Sequence, residues 1–147
     1  MNPVQNSAVI PLLGTLTPQQ LKDTLIKTMS DEASAADFYT ELMSQAPNGL
    51  HYDFIQHARD DEVDHLSRFQ NLYVYYFGTI PQYSIQKTQN PSYEQGLLMA
   101  LDDELAAAEF YRDVQLSVTD QMFKDTYYYA MVDELDHATR FSTLFNQ

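Results

Sequence analysis

Asp61-Glu62-Val63-Asp64-His65 recurs 72 residues later as Asp133-Glu134-Leu135-Asp136-His137, so both stretches read Asp-Glu-x-Asp-His. The same offset joins Asp31-Glu32-Ala33-Ser34-Ala35-Ala36-Asp37-Phe38-Tyr39 to Asp103-Glu104-Leu105-Ala106-Ala107-Ala108-Glu109-Phe110-Tyr111. Two segments repeating at one offset mark an internal duplication. Each half supplies one lone Glu and one Glu-x-x-His, and three residues apart on a helix is one face, so the pair can share a metal ion.

The surrounding chain limits what such a motif can be part of. Its 147 residues suffice for one domain with a real core. No cysteine is present, so any metal must be held by Glu, Asp or His. With 21 acidic against 8 basic residues and a formal charge of −13, the chain lacks the positive footprint that nucleic acid needs. The same charge repels anionic membrane surfaces, no run of about 18 apolar residues exists, and no signal-peptide pattern opens the chain. A cytoplasmic location is the default expectation.

Periodicity predicts four helices. Residues 1–17, with Pro3, Pro11 and Gly14, have no helical period and are expected to form an arm; residues 18–147 form the bundle. Thr17-Pro18 is a helix start, with a capping side chain followed by Pro at the first position. Leu21, Leu25, Met29, Glu32, Ala36, Tyr39 and Met43 then step by three or four until Pro47-Asn48-Gly49. A second helix from about Leu50 to Phe77 turns Ile55, Ala58, Glu62, His65, Phe69, Leu72 and Tyr76 inward, and Gly78 closes it. Fourteen residues from Gly78 to Pro91 reach roughly 46 to 50 Å when extended, enough to run the length of a helix of about 28 residues. Asn90 and Pro91 open a third helix with Leu97, Leu101, Glu104, Ala108, Tyr111 and Val118 inward. The fourth carries Phe123, Tyr127, Ala130, Glu134, His137, Phe141 and Leu144. The midpoint of Glu32 and Glu62 falls at position 47, inside the first turn signal, and that of Glu104 and Glu134 at position 119, in the second. In antiparallel hairpins these carboxylates are therefore level. The fold expected is all-α, an antiparallel four-helix bundle of two duplicated hairpins joined by a long crossover.

Four Glu inside a bundle demand counter-charge, because a buried unpaired carboxylate costs several kcal/mol, and no Lys or Arg lies on the inward stripes. Two divalent ions balance four carboxylates, and carboxylate with imidazole suits iron or manganese. One Glu-x-x-His alone falls easily on a solvated acidic helix; two in register, each with a core-facing Glu, mark a metal site.

With these residues the chain resembles the ferritin-like di-iron carboxylate superfamily, nearest to rubrerythrins and bacterioferritins, over about residues 18 to 146. The family's ligand pattern is one Glu from each of two helices and one Glu-x-x-His from each of the other two. The resemblance implies two iron ions, or manganese, bridged by Glu62 and Glu134, with Glu32 and His65 completing one position and Glu104 and His137 the other. Rubrerythrins commonly carry a further Glu three residues beyond the third-helix ligand, where this chain has Ala107, and a Cys-rich rubredoxin domain, which has no counterpart here. Asp61 and Asp133 are placed to accept the free N–H of the opposite hairpin's His. Asp64 and Asp136 read as exposed. Tyr39 and Tyr111, seven residues beyond Glu32 and Glu104, are candidates for bonding a ligand carboxylate or passing an electron. His51 and His57 lack histidine counterparts in the second half and are read as surface residues. The runs Tyr73-Val74-Tyr75-Tyr76-Phe77 and Tyr127-Tyr128-Tyr129 exceed one helical face, which points to contact with another subunit and an expected homodimer.

By the same resemblance the expected activity is reduction of hydrogen peroxide, or of dioxygen, with electrons from a separate donor protein. A ferroxidase or iron-storage protein is the alternative from another class, and a dimanganese catalase a third, distinguished by assembly and by metal content.

Overall fold

The computed structural model describes residues 16–147; the arm expected over residues 1–17 therefore lies, but for Leu16 and Thr17, outside the described residues. Four helices follow: α1 (Pro18–Ser44), α2 (Gly49–Phe77), α3 (Tyr93–Ser117) and α4 (Gln121–Phe145). Each starts on a side-chain cap that accepts from the backbone N–H three residues on, namely Thr17, Asn48, Ser92 and Asp120. Thr17 and Gln20 close a reciprocal capping box. α2 ends on Gly78 at φ +66°, the left-handed conformation glycine adopts without Cβ strain. The third helix starts two residues later than Asn90-Pro91 suggests. Ser92 takes the cap, while Asn90 exchanges side-chain hydrogen bonds with Gln45 of α1.

α1 packs on α2, α3 on α4, and α2 on α4. The crossover returns beside α1: the Ser30 hydroxyl donates to the Ser84 carbonyl, the Gln86 N–H donates to Ser34 Oγ at 2.8 Å, and Lys87 pairs with Asp37 at 2.6 Å. It therefore runs parallel to α1, and α3 starts at the end where α1 stops.

The core is in two parts. Leu25, Met29, Phe69, Leu72, Tyr111, Phe123 and Tyr127 fill one end, and Phe38, Tyr39, Leu42, Ile55, Leu97, Phe141 and Leu144 the other. Burying a side chain of this size fully contributes about 1.5–3 kcal/mol, so each end carries enough apolar burial to hold the helices together around what separates them. That middle layer is polar: Glu32, Glu62, Glu104, Glu134, His65 and His137, each 2% exposed or less.

Candidate metal centre

One residue of the middle layer comes from α1, one from α3, and two each from α2 and α4, because the Glu-x-x-His spacing turns both side chains of a motif inward. The six sequence-predicted ligands converge into two overlapping groups whose ligand atoms lie within 4.8 Å of one another. One is Glu32, Glu62, His65 and Glu134; the other is Glu62, Glu104, Glu134 and His137. Glu62 and Glu134 belong to both. The paired geometry repeats across the duplication: His65 Nδ1 lies 3.1 Å from Glu134 and 3.4 Å from Glu32, and His137 Nδ1 lies 3.1 Å from Glu62 and 3.4 Å from Glu104.

Outer contacts cross between hairpins. His65 Nε2 sits 2.8 Å from Asp133, and His137 Nε2 sits 2.8 Å from Asp61. Burial tends to raise the Asp61 carboxyl, but the hydrogen bond to His137 and the charges of His137, His57 and His65 together outweigh it and hold the group below the usual carboxylate range. An ionised carboxylate only accepts, so Nε2 is the donor, and Nδ1 is the nitrogen turned to the site. Tyr39 donates to Glu104, and Tyr111 to Glu32. Each phenol thus holds the terminal carboxylate of the opposite hairpin, not the one seven residues before it. Burial pushes both phenols well above the ordinary range, and the charge of the bonded Glu adds to the effect.

Glu32 Oε2, Glu62 Oε1, His65 Nδ1, Glu104 Oε2, Glu134 Oε1 and His137 Nδ1, one atom from each of the six residues, are buried without a hydrogen-bond partner. Buried polar atoms are nearly always satisfied, and six orphans gathered on two overlapping groups of residues fit metal cations. Without such charge the centre gathers protons. Burial, and then the charges of neighbouring carboxylates, raise Glu62 and Glu134 well above the usual range. For His65 burial acts downward, yet Glu32 and Asp133 lift it to about 9; His137 is lifted likewise to about 9 by Asp61 and Glu104. Glu32 moves the other way: burial opposes ionisation, but contacts with Glu62 and His65 keep it below its ordinary value.

A cavity of about 350 Å³ reaches this layer between α1 and α3. Glu32, Glu62, Glu104 and Glu134 line it, and it meets the surface beside the exposed Lys27, Asp31, Asp103, Gln86 and Thr88.

Asp64 and Asp136 are exposed as expected, bonding Arg68 and Arg140 one turn on at 2.7 Å; pairs of this kind contribute only about 0.3–0.5 kcal/mol. His57 is on the surface, with Nε2 3.1 Å from Asp61 and 3.6 Å from Asp136. His51 corrects the sequence reading. It is 7% exposed, with Nδ1 2.8 Å from the Tyr93 hydroxyl and Nε2 3.1 Å from Gln147 Oε1. The signal was available in the duplication, because position 51 corresponds to the core residue Phe123. In the Tyr-rich runs, Tyr73 and Tyr127 are core while Tyr75, Tyr128 and Tyr129 are exposed.

Fold and centre together define a ferritin-like four-helix bundle with a buried carboxylate–histidine cluster. The fold is shared with solved structures of low sequence identity. A two-domain protein from Anabaena variabilis, containing DJ-1/ThiJ/PfpI-like and ferritin-like domains, superposes with a TM-score of 0.72 at 12% identity over 90% of this chain. This chain spans 38% of that protein's length. A hypothetical protein from Pyrococcus furiosus gives 0.76 at 19% identity, covering 86% of this chain and 88% of that one. A conserved hypothetical protein from Mycobacterium tuberculosis gives 0.72 at 15%, covering 84% and 89%. No family model and no curated protein matches the chain. Among the described residues no helix is long and apolar enough to cross a membrane.

Proposed function

We propose that the protein is a di-iron oxidoreductase of the rubrerythrin-like kind, reducing hydrogen peroxide with electrons from a separate donor protein. The observation that carries this reading is the pair of overlapping ligand groups sharing Glu62 and Glu134, with one orphaned atom on each of six buried residues. Three carboxylates and one imidazole per position suit iron or manganese better than zinc, which prefers fewer oxygens. Glu32 and His65 would hold one ion, Glu104 and His137 the other, and Glu62 and Glu134 both. When bound, two irons supply two electrons together, the number that reduces a peroxide O–O bond to water.

The remaining chemistry belongs to the chain. Asp61 and Asp133 orient the two imidazoles through Nε2, and Tyr39 and Tyr111 hold the terminal carboxylates through their phenolic O–H groups. The two apolar cores exclude water above and below, and the cavity between α1 and α3 leaves one side open to a small oxidant. In the absence of cysteine, electrons come from outside the chain.

Anaerobic mixing of the reduced, iron-loaded protein with peroxide or dioxygen tests the proposal. Peroxide is expected to oxidise the centre faster, with turnover only when a rubredoxin-type donor is added. Faster oxidation by dioxygen, with mineral accumulating in a large assembly, would assign iron storage instead.

A further inference from the structure

The cavity above the carboxylates is larger than hydrogen peroxide requires and is walled by a repeated apolar pattern. A water molecule's share of liquid volume is about 30 Å³, and hydrogen peroxide has only two heavy atoms, against about 350 Å³ here, a space that takes in the carboxylate-lined floor where two ions would sit. That volume falls within the range of small-organic-ligand sites, about 300–1,000 Å³.

Each hairpin contributes the same two wall residues, Ala35 and Phe38 from α1 and Ala107 and Phe110 from α3, related by the offset of 72. Ala35 and Ala107 stand three residues beyond Glu32 and Glu104, on the same helix faces. A methyl group there leaves the space above the carboxylates open, and the two phenyl rings bound it. The mouth disfavours anions. Asp31 and Asp103 line it, and its lysine, Lys27, is paired with Asp31 and lies 4.5 Å above the Phe110 ring centroid. Carboxylate floor, apolar walls and acidic rim together fit an uncharged molecule with a polar head and a compact apolar body.

We propose that this cavity binds the organic group of uncharged alkyl or aryl hydroperoxides, and that these are substrates alongside hydrogen peroxide. The inference rests on the peroxide-reducing function proposed above. In the reaction ROOH takes up two electrons, supplied by the donor protein, and two protons. The O–O bond breaks, the C–O bond survives, and the products are ROH and water.

Two measurements test it. With iron-loaded protein and an electron donor, cumene hydroperoxide is expected to be reduced as well as hydrogen peroxide. In the variant Ala35→Leu, Ala107→Leu the ratio of kcat/KM for cumene hydroperoxide to that for hydrogen peroxide is expected to fall at least about tenfold, since the added side chains occupy the space of the organic group. Independently of turnover, the labelled alanine methyls of metal-free protein are titrated with 2-phenyl-2-propanol, the unreactive product alcohol. Saturable NMR shifts at Ala35 and Ala107, absent from surface alanines, support the site. Hydrogen peroxide reduced but cumene hydroperoxide refused, an unchanged ratio in the double variant, or no saturable shift at these methyls would each overturn the proposal. Loss of both peroxide activities together with saturable shifts would sink the peroxidase reading and keep the organic-binding cavity.

Discussion

Asp61 acts on the centre from one position outside the ligand set. Its carboxylate accepts a hydrogen bond from Nε2–H of His137 at 2.8 Å and fixes Nδ1 as the nitrogen that faces the carboxylate cluster. Asp61→Ala is therefore expected to weaken metal binding about 10–100-fold, chiefly at the position served by His137, and Asp133→Ala at the one served by His65; metal titration of each variant decides. Glu62→Ala or Glu134→Ala is expected to lose both metals, because each belongs to both ligand groups, and Glu32→Ala or His65→Ala mainly one. Equal stoichiometry in all four variants would contradict that division. The proton load gives a third test. His65 and His137, lifted to about 9, contribute stability to the metal-free fold that is full below about 6.5 and lost as pH rises through 9. Glu62 and Glu134, also raised, act in the same direction from 4.5 upward. Glu32 and Asp61, held low, contribute stability lost only in acid. Melting temperatures of metal-free protein are thus expected to fall from about pH 6.5 to 9, while metal affinity rises over that window as protons are displaced; a flat melting profile would refute this. The convergence of all six candidate ligands was legible in the sequence because spacing and burial agreed. His51 was not, since a change of residue type between halves hid a shared inward position.

At the scale of elements, helices and turns followed from short-range chemistry. Thr17-Pro18, Asn48-Gly49 and Gly78 mark ends by capping and φ preference, and the two turn midpoints put the carboxylates level before any packing was known. The route of the crossover was less legible. Its length allowed a passage along the bundle, but its course beside α1 depends on Ser30, Ser34 and Asp37, exposed or half-buried polar residues with no periodic signature. The crossed partners of Tyr39 and Tyr111 were hidden for the same reason: helical spacing tells which face a phenol shares, not which opposing helix it meets. Gly78 is where the backbone demands a residue type. Gly78→Ala at φ +66° is expected to cost about 1 kcal/mol, or roughly 2–4 °C in melting temperature for a chain of this size. The metal stoichiometry should be unaffected, because the turn is remote from the ligands. An unchanged melting temperature would show that this turn relaxes.

At the scale of the whole molecule, duplication explains both the symmetry of the centre and its departures. Equivalent distances recur across the halves at the ligands and at Asp61 and Asp133. Away from them the halves diverge, as where Gln56 and Asp60 correspond to Tyr128 and Val132, which are 57% and 45% exposed. The residues that form the centre match between the halves, and these that differ lie on outer faces. What both halves keep outside is acidity: of the chain's 21 acidic residues, against 8 basic, only Glu32, Glu62, Glu104 and Glu134 are buried. Asp31, Asp102 and Asp103 are exposed on α1 and α3, with Asp31 and Asp103 at the cavity mouth. A donor protein approaching this surface meets a negative potential, so a partner with a basic docking face is steered toward it. One with an acidic face is repelled. Ionic strength separates the two cases because screening weakens attraction and repulsion alike, with a Debye length of about 10 Å at 0.1 M and about 3 Å at 1 M. For a basic donor, the second-order rate of electron transfer into the oxidised, iron-loaded protein is expected to fall about tenfold between low and roughly 0.5 M salt. The rate with a neutral small-molecule reductant should stay nearly constant. Asp31→Asn with Asp103→Asn should flatten the salt dependence if docking occurs at the cavity mouth. Such a donor whose rate is indifferent to salt, or rises with it, would exclude electrostatic docking on this face.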